Sequence, residues 1–130
     1  MKTYGIIVTI ALIVFLYVFI FTSSLSEKYR PNIVFETTEK IINEAFLGTK
    51  DEVVFVFKNS GKDSLYIIDV SNYCGCIVLN WNNKAIAPGS SDSIKIIINH
   101  RDIGKFTKHL NVFSTGSEWP IELKISGEVH

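Results

Sequence analysis

The chain has 130 residues, 47% of them hydrophobic, and its 13 basic side chains balance 13 acidic ones. Beyond the first thirty, about a hundred residues remain, enough for one compact domain and too few for two. With no clustered basic face and no polybasic run, the sequence excludes a nucleic-acid binder and carries no mark of anionic-lipid recognition.

The first element is apolar. From Thr3 to Ser26 no side chain carries a formal charge, and Gly5 to Phe21 is mostly Ile, Val, Leu and Phe. As a helix rising about 1.5 Å per residue, that core spans roughly 26 Å, close to the ~30 Å hydrocarbon layer, with Tyr4 and Thr22 at the interfaces. Roughly a dozen apolar side chains, at about 0.3 to 0.6 kcal/mol each, favour insertion by several kcal/mol. No polar face interrupts the run, which argues against a soluble core helix. Lys2 and the amine supply a short positive head, and Ser24-Leu25-Ser26 fits a cleavage site of small residues. A cleaved signal, however, has only about 7 to 15 apolar residues. Residues 1–26 therefore read as a single-pass membrane anchor, with secretion after cleavage near Ser26 as the alternative. No cysteine stands near position 20 to take a lipid. Lys2 is nearly matched by Lys28 and Arg30 beyond the span, so charge alone does not orient it. Export of the larger part is preferred, partly on the resemblance described below.

Residues 27–32 read as a polar linker ending in Arg30-Pro31-Asn32, and 33–130 as one domain. In that domain the dominant period is two. Val53, Phe55 and Phe57 alternate with Val54, Val56 and Lys58; Ile94, Ile96 and Ile98 with Lys95, Ile97 and Asn99; Ile121, Leu123 and Ile125 with Glu122, Lys124 and Ser126. Phe106, Leu110 and Val112 share a parity that Lys108 interrupts. Such alternation buries one face of a strand. Asn59-Ser60-Gly61, Pro88-Gly89, Ile103-Gly104 and Ser114 to Ser117 supply turns between the runs. The pattern predicts an all-β, immunoglobulin-like β-sandwich of about seven strands after the helix. The strands fall near 33–37, 52–58, 64–70, 76–80, 92–99, 106–114 and 119–128. Thr38 to Leu47 fits either a short helix, with Ile41, Ile42 and Phe46 on one side, or a strand and turn.

Cys74-Gly75-Cys76 is the one constellation with chemical reach. Antibody-type domains pin their sheets with distant cysteines, and these two are separated by one glycine. In a flat strand their Cβ atoms would lie about 6.5 Å apart, too far for a disulfide. Positive φ at Gly75 would bend the chain and bring the sulfurs together, giving either a disulfide or a two-thiolate site for Cu(I). The plain alternative is two small side chains packed at a turn. Structural zinc wants about four ligands, and nothing aims His100 or His109 at the loop. His100, beside Arg101 and Asp102, reads as part of a solvated turn. His109 reads as facing water beside Lys108, and His130 is terminal.

The order of motifs is distinctive. Phe55-Val56-Phe57-Lys58-Asn59-Ser60-Gly61 is followed by Leu65 and Ile67, Cys74-Gly75-Cys76, Ala87-Pro88-Gly89, Gly104-Lys105-Phe106 and Ser126-Gly127-Glu128-Val129. Over roughly Ile33 to Val129 this resembles the bacterial domain of unknown function 1573 family, whose members are similar to immunoglobulin-like domains of the major-sperm-protein and cilium-associated type. The resemblance implies a cell-envelope β-sandwich, often lipidated or membrane-anchored, with no established reaction. Two departures stand out: Ile77 where the family often has Thr, and Asn43-Glu44-Ala45 where it often has Gly.

No Gly-x-Ser-x-Gly, His-Glu-x-x-His or phosphate-cradling loop occurs, so the sequence points away from an enzyme, a thiol-redox role apart. Tyr73, Trp81 and Trp119 are candidate partner-binding residues, or else rim covers of a small sandwich. The leading reading is a periplasmic or extracellular module, anchored in the membrane, that binds another protein or envelope component and needs no cofactor. The rival is a thiol-redox or Cu(I)-handling protein acting through Cys74 and Cys76.

Overall fold

The computed structural model describes residues 2–28 and 30–130. The expected linker at 27–32 contains Tyr29, which lies outside the described residues, as do the side chains of Ser24, Leu25 and Ser26 at the small-residue cleavage site. The chain divides into an N-terminal unit ending at Arg30 and a second unit, Pro31–His130.

The first unit is one helix, α1 (Lys2–Lys28). Within it Thr3–Ser23, 21 residues, is long and apolar enough to cross a membrane, at about 1.5 Å per residue or roughly 32 Å. Three of its hydroxyls bond their own helix. Thr9 Oγ1 donates to the Ile6 carbonyl at 2.8 Å, Thr22 Oγ1 to Phe19 at 3.0 Å and Ser23 Oγ to Phe19 at 2.7 Å. A hydroxyl bonded to its own helix costs less to place in hydrocarbon.

The second unit has eight strands: β1 (Ile33–Phe35), β2 (Glu39–Ala45), β3 (Lys50–Asn59), β4 (Ile67–Asn72), β5 (Ile77–Trp81), β6 (Ser91–Asn99), β7 (Gly104–Ser114) and β8 (Ile121–Val129). They form two four-stranded sheets, in the orders β1-β3-β6-β5 and β2-β8-β7-β4. This is the immunoglobulin-like sandwich the alternation predicts. Phe55 and Phe57 from β3, Ile94, Ile96 and Ile98 from β6, Leu110 and Val112 from β7, and Leu123 and Ile125 from β8 are all buried between the sheets.

The count of seven becomes eight because Thr38 to Leu47 resolves as strand and turn. β2 runs parallel to β8, with Ile42 opposite Gly127. A helix would have gathered Ile41, Ile42 and Phe46 on one face. Instead Ile41 is exposed while Ile42 packs against the core, because successive strand residues point to opposite sides, and Phe46 is exposed just past the end of the strand. The third expected strand also moves. Leu65 makes only an isolated bridge to Ile86, and β4 begins at Ile67.

Candidate functional site

β4 ends at Asn72, opposite Leu110 of β7. Below that point β7 keeps β8 on one side and loses its neighbour on the other. The chain crosses there from one sheet to the other through Tyr73 to Cys76, and β5 begins at Ile77. The crossing is held by its backbone. Asn72 Oδ1 accepts the Cys74 N–H at 3.0 Å, and the Cys74 carbonyl accepts the Ile77 N–H at 3.4 Å. The Cys76 carbonyl accepts both the backbone N–H of Asn99, at 3.0 Å, and its side-chain amide, at 3.1 Å.

Cys74 and Cys76 are joined by a disulfide, with Cα atoms 5.3 Å apart. Two steps of a flat strand would separate them by about 6.6 Å, and the turn at 75–76 removes the difference. The turn does this without the positive φ expected of Gly75; left-handed glycines occur at Gly48, Gly89 and Gly104. A Cβ at Gly75 would meet nothing within 4 Å. Gly75→Ala is therefore expected to change stability by less than about 0.5 kcal/mol and to leave the disulfide closed, as thermal melts and thiol counting would register. A two-thiolate site for Cu(I) would need the reduced pair, since the sulfurs are bonded to each other here. As a staple the bond is weak, because closing three residues removes roughly 1.6 kcal/mol of chain entropy against about 3 for fifteen.

The two sulfurs differ in surroundings. Cys76 is buried and Cys74 is partly exposed. Cys74 Sγ accepts the Cys76 N–H at 3.3 Å and the Lys108 ammonium at 3.5 Å. Lys108 thus accounts for the break in the β7 pattern. It occupies an inward position, and at the unpaired end of β7 inward means toward the disulfide. The disulfide and Lys108 line a cleft of about 510 Å3 together with the β6–β7 turn and the start of β7. Arg101, Lys105 and Lys108 there outnumber the one acid of the turn, Asp102.

His100 corrects the sequence reading. Far from standing in a solvated turn, it is buried, and its Nε2 lies 2.7 Å from Asp51 Oδ2. Its ring lies 5.4 Å from that of Phe106, and its backbone bonds Thr49 and Gly48. It braces the cleft floor and does not reach the sulfurs. His109 faces the other way from Lys108 and pairs with Glu122 at 3.1 Å on the wet side. His130 is exposed, its backbone tied to Ala45 and Leu47.

The three aromatic candidates are not brought together. Tyr73 flanks the disulfide and is 92% exposed. Trp81 closes β5 with its ring against the core. Trp119 stands in the β7–β8 connection beside Ile68 and Phe113, 76% exposed.

The profile of the family described as "Protein of unknown function (DUF1573)" matches residues 33–129. The chain belongs to this family. No curated protein matches it. The DUF1573 unit is similar in structure to a protein of unknown function from Porphyromonas gingivalis, with a TM-score of 0.66 and 12% identity over 78% of this chain and 48% of that one. The chain thus spans about half the length of that relative. It is also similar to the ASH/PapD-like domain 7 of human CEP192, with a TM-score of 0.63 and 9% identity over 78% of this chain and 87% of that one. The secreted serine protease VesC from Vibrio cholerae shares the fold over 75% of this chain and only 23% of its own, with a TM-score of 0.57 and 10% identity. At these identities the likeness establishes the sandwich fold, and the DUF1573 family itself carries no assigned reaction.

Proposed function

We propose that this chain is a bilayer-anchored, exported module that takes an extended segment of another envelope protein onto the free edge of β5. The observation that carries the reading is a comparison of edges. A sandwich edge offers unpaired backbone groups, and proteins blunt it with charge, shortness or bulges. β1 has only three residues. β2 carries Glu39, Lys40 and Glu44 and a break in register. β4 carries Asp69 and a break in register. β5, Ile77-Val78-Leu79-Asn80-Trp81, carries no charge and pairs with β6 without a break.

The Asn99 N–H bonded to the Cys76 carbonyl sets the phase of that pairing. It turns the backbone N–H and C=O of Leu79 and Trp81 away from β6, where an added strand would bond them. α1 supports the bilayer tether by its length and composition.

The test is photo-crosslinking in intact cells from a reactive residue at Val78, with Ile41 on β2 as the comparison edge. Adducts of defined mass are expected from Val78. Leu79→Pro removes an outward N–H without taking a bond from β6, and is expected to cut those adducts about tenfold, the worth of roughly 1.4 kcal/mol. Equal adducts from both edges, or a yield indifferent to Leu79→Pro in a chain that still melts cooperatively, would refute the proposal.

A further inference from the structure

The strand-pairing reading uses neither sulfur, and the disulfide adds little as a staple. We infer that Cys74 and Cys76 form a thiol–disulfide exchange site for dithiol or disulfide partners, in which Cys74 bonds the partner and Cys76 resolves the mixed disulfide.

Three observations carry this. The pair lines an open cleft of about 510 Å3, so a partner sulfur has a route to it. The pair is asymmetric: Cys74 is partly exposed while Cys76 is buried. The donors gather on one sulfur, since both the Lys108 ammonium and the Cys76 amide point at Cys74 Sγ. An ammonium and an N–H beside a sulfur stabilise its thiolate, which is both the nucleophile and the leaving group in this chemistry. The loop's own hydrogen bonds, through Asn72 and Asn99, do not depend on the S–S bond. They keep the two sulfurs adjacent when it opens.

A partner thiolate attacks Cys74 Sγ. A bond forms between the partner sulfur and Cys74, the Cys74–Cys76 bond breaks, and the electron pair leaves on Cys76 Sγ, which takes a proton from water. The partner's second thiolate then attacks the partner sulfur of the mixed disulfide. The partner's own disulfide forms, and the electron pair returns to Cys74 Sγ beside Lys108. The partner dithiol is oxidised by two electrons, Cys74 and Cys76 are reduced by two, and the two thiol protons pass to them through solvent. Run backwards, the same steps reduce a partner disulfide. Arg101, Lys105 and Lys108 at the cleft favour the approach of the partner thiolate in the forward direction and stabilise it as it leaves in the reverse one.

The experiment uses the full chain in detergent and glutathione as the probe. After incubation with mixed reduced and oxidised glutathione, acid quenching and mass spectrometry, Cys76→Ser is expected to hold glutathione on Cys74. Cys74→Ser is expected to hold about tenfold less on buried Cys76. With the wild-type chain reduced, thiolate absorbance is followed against pH. Lys108→Met is expected to lower the thiolate fraction at neutral pH about tenfold, and Lys108→Arg to restore it. Equal adducts on the two cysteines, no adduct on Cys74, or a titration unmoved by Lys108→Met would overturn the assignment. Should Lys108→Met fail to fold, the partition of glutathione between the two serine variants decides alone.

Discussion

Asn59→Ala is expected to destabilise the sandwich by about 3 kcal/mol and to lower its melting temperature by roughly 12–20 °C. Asn59 is fully buried at the end of β3, and its amide is used on both sides. Nδ2 donates to the carbonyls of Asp63, at 2.7 Å, and Ile86, at 2.9 Å. Oδ1 accepts the N–H groups of Gly61, at 3.0 Å, and Asn32, at 3.3 Å. One side chain therefore ties the entry to β1, the turn after β3 and the strand-like segment before Pro88. Alanine removes all four bonds. The Ile86 carbonyl keeps the Leu65 N–H at 2.9 Å, so the loss falls on Asp63, Gly61 and Asn32, at about 1 kcal/mol each. Asn59→Asp is the sharper variant, because it keeps both acceptor bonds but faces two carbonyls with no hydrogen to offer. Its loss should equal or exceed that of alanine. Calorimetry of the full chain in detergent measures both, and losses under about 1 kcal/mol would mean that water already serves these groups.

Where an interaction lies within one strand, the sequence alone is enough to read it. The parity of Phe55 and Phe57, or of Ile94, Ile96 and Ile98, states which side is buried, and the structure buries those side chains. Asn59-Ser60-Gly61 reads as a turn and is one, but its contact with Ile86 lies 27 residues away and leaves no local trace. The same holds for His100, whose partner Asp51 is 49 residues off. Flanked by Arg101 and Asp102, it looks solvated and is not. The cysteine spacing marks Cys74 and Cys76 as the place to look, yet the bend comes from a turn of ordinary φ and not from a left-handed Gly75. Lys108 left a signal that could have been followed further. A lysine on the apolar parity of a strand must face something polar, and here it faces a sulfur. Which sulfur is a matter of where β4 stops, and that depends on pairing across the sheet.

Gly127→Val is expected to cost about 3 kcal/mol, and Gly127→Ala about 2, through overpacking. Gly127 sits on the inward parity of β8, in register with Ile42 of β2 on one side and Phe106 of β7 on the other. A Cβ there would lie 2.7 Å from the Ile42 carbonyl oxygen and 2.9 Å from Phe106 Cζ. The first contact is backbone, at the point where β2 breaks register between Ile42 and Ala45, so relief means moving the strand. The second is a ring that packs against buried His100 on one side and borders the cleft on the other, so it can yield more readily than the backbone. The closing motif Ser126-Gly127-Glu128-Val129 thus has a packing reason for its glycine. Pairing Gly127→Ala with Phe106→Ala separates the two contacts. If the ring is half the obstruction, the double variant loses about 1 kcal/mol less than the sum of the singles, as neighbouring sites that share a clash do. Hydrogen exchange should place the damage in Glu39–Ala45, the edge strand that must give way. Additive losses, with β2 amides protected as in the parent chain, would mean that β8 moves and β2 does not, and would overturn this account of the register break.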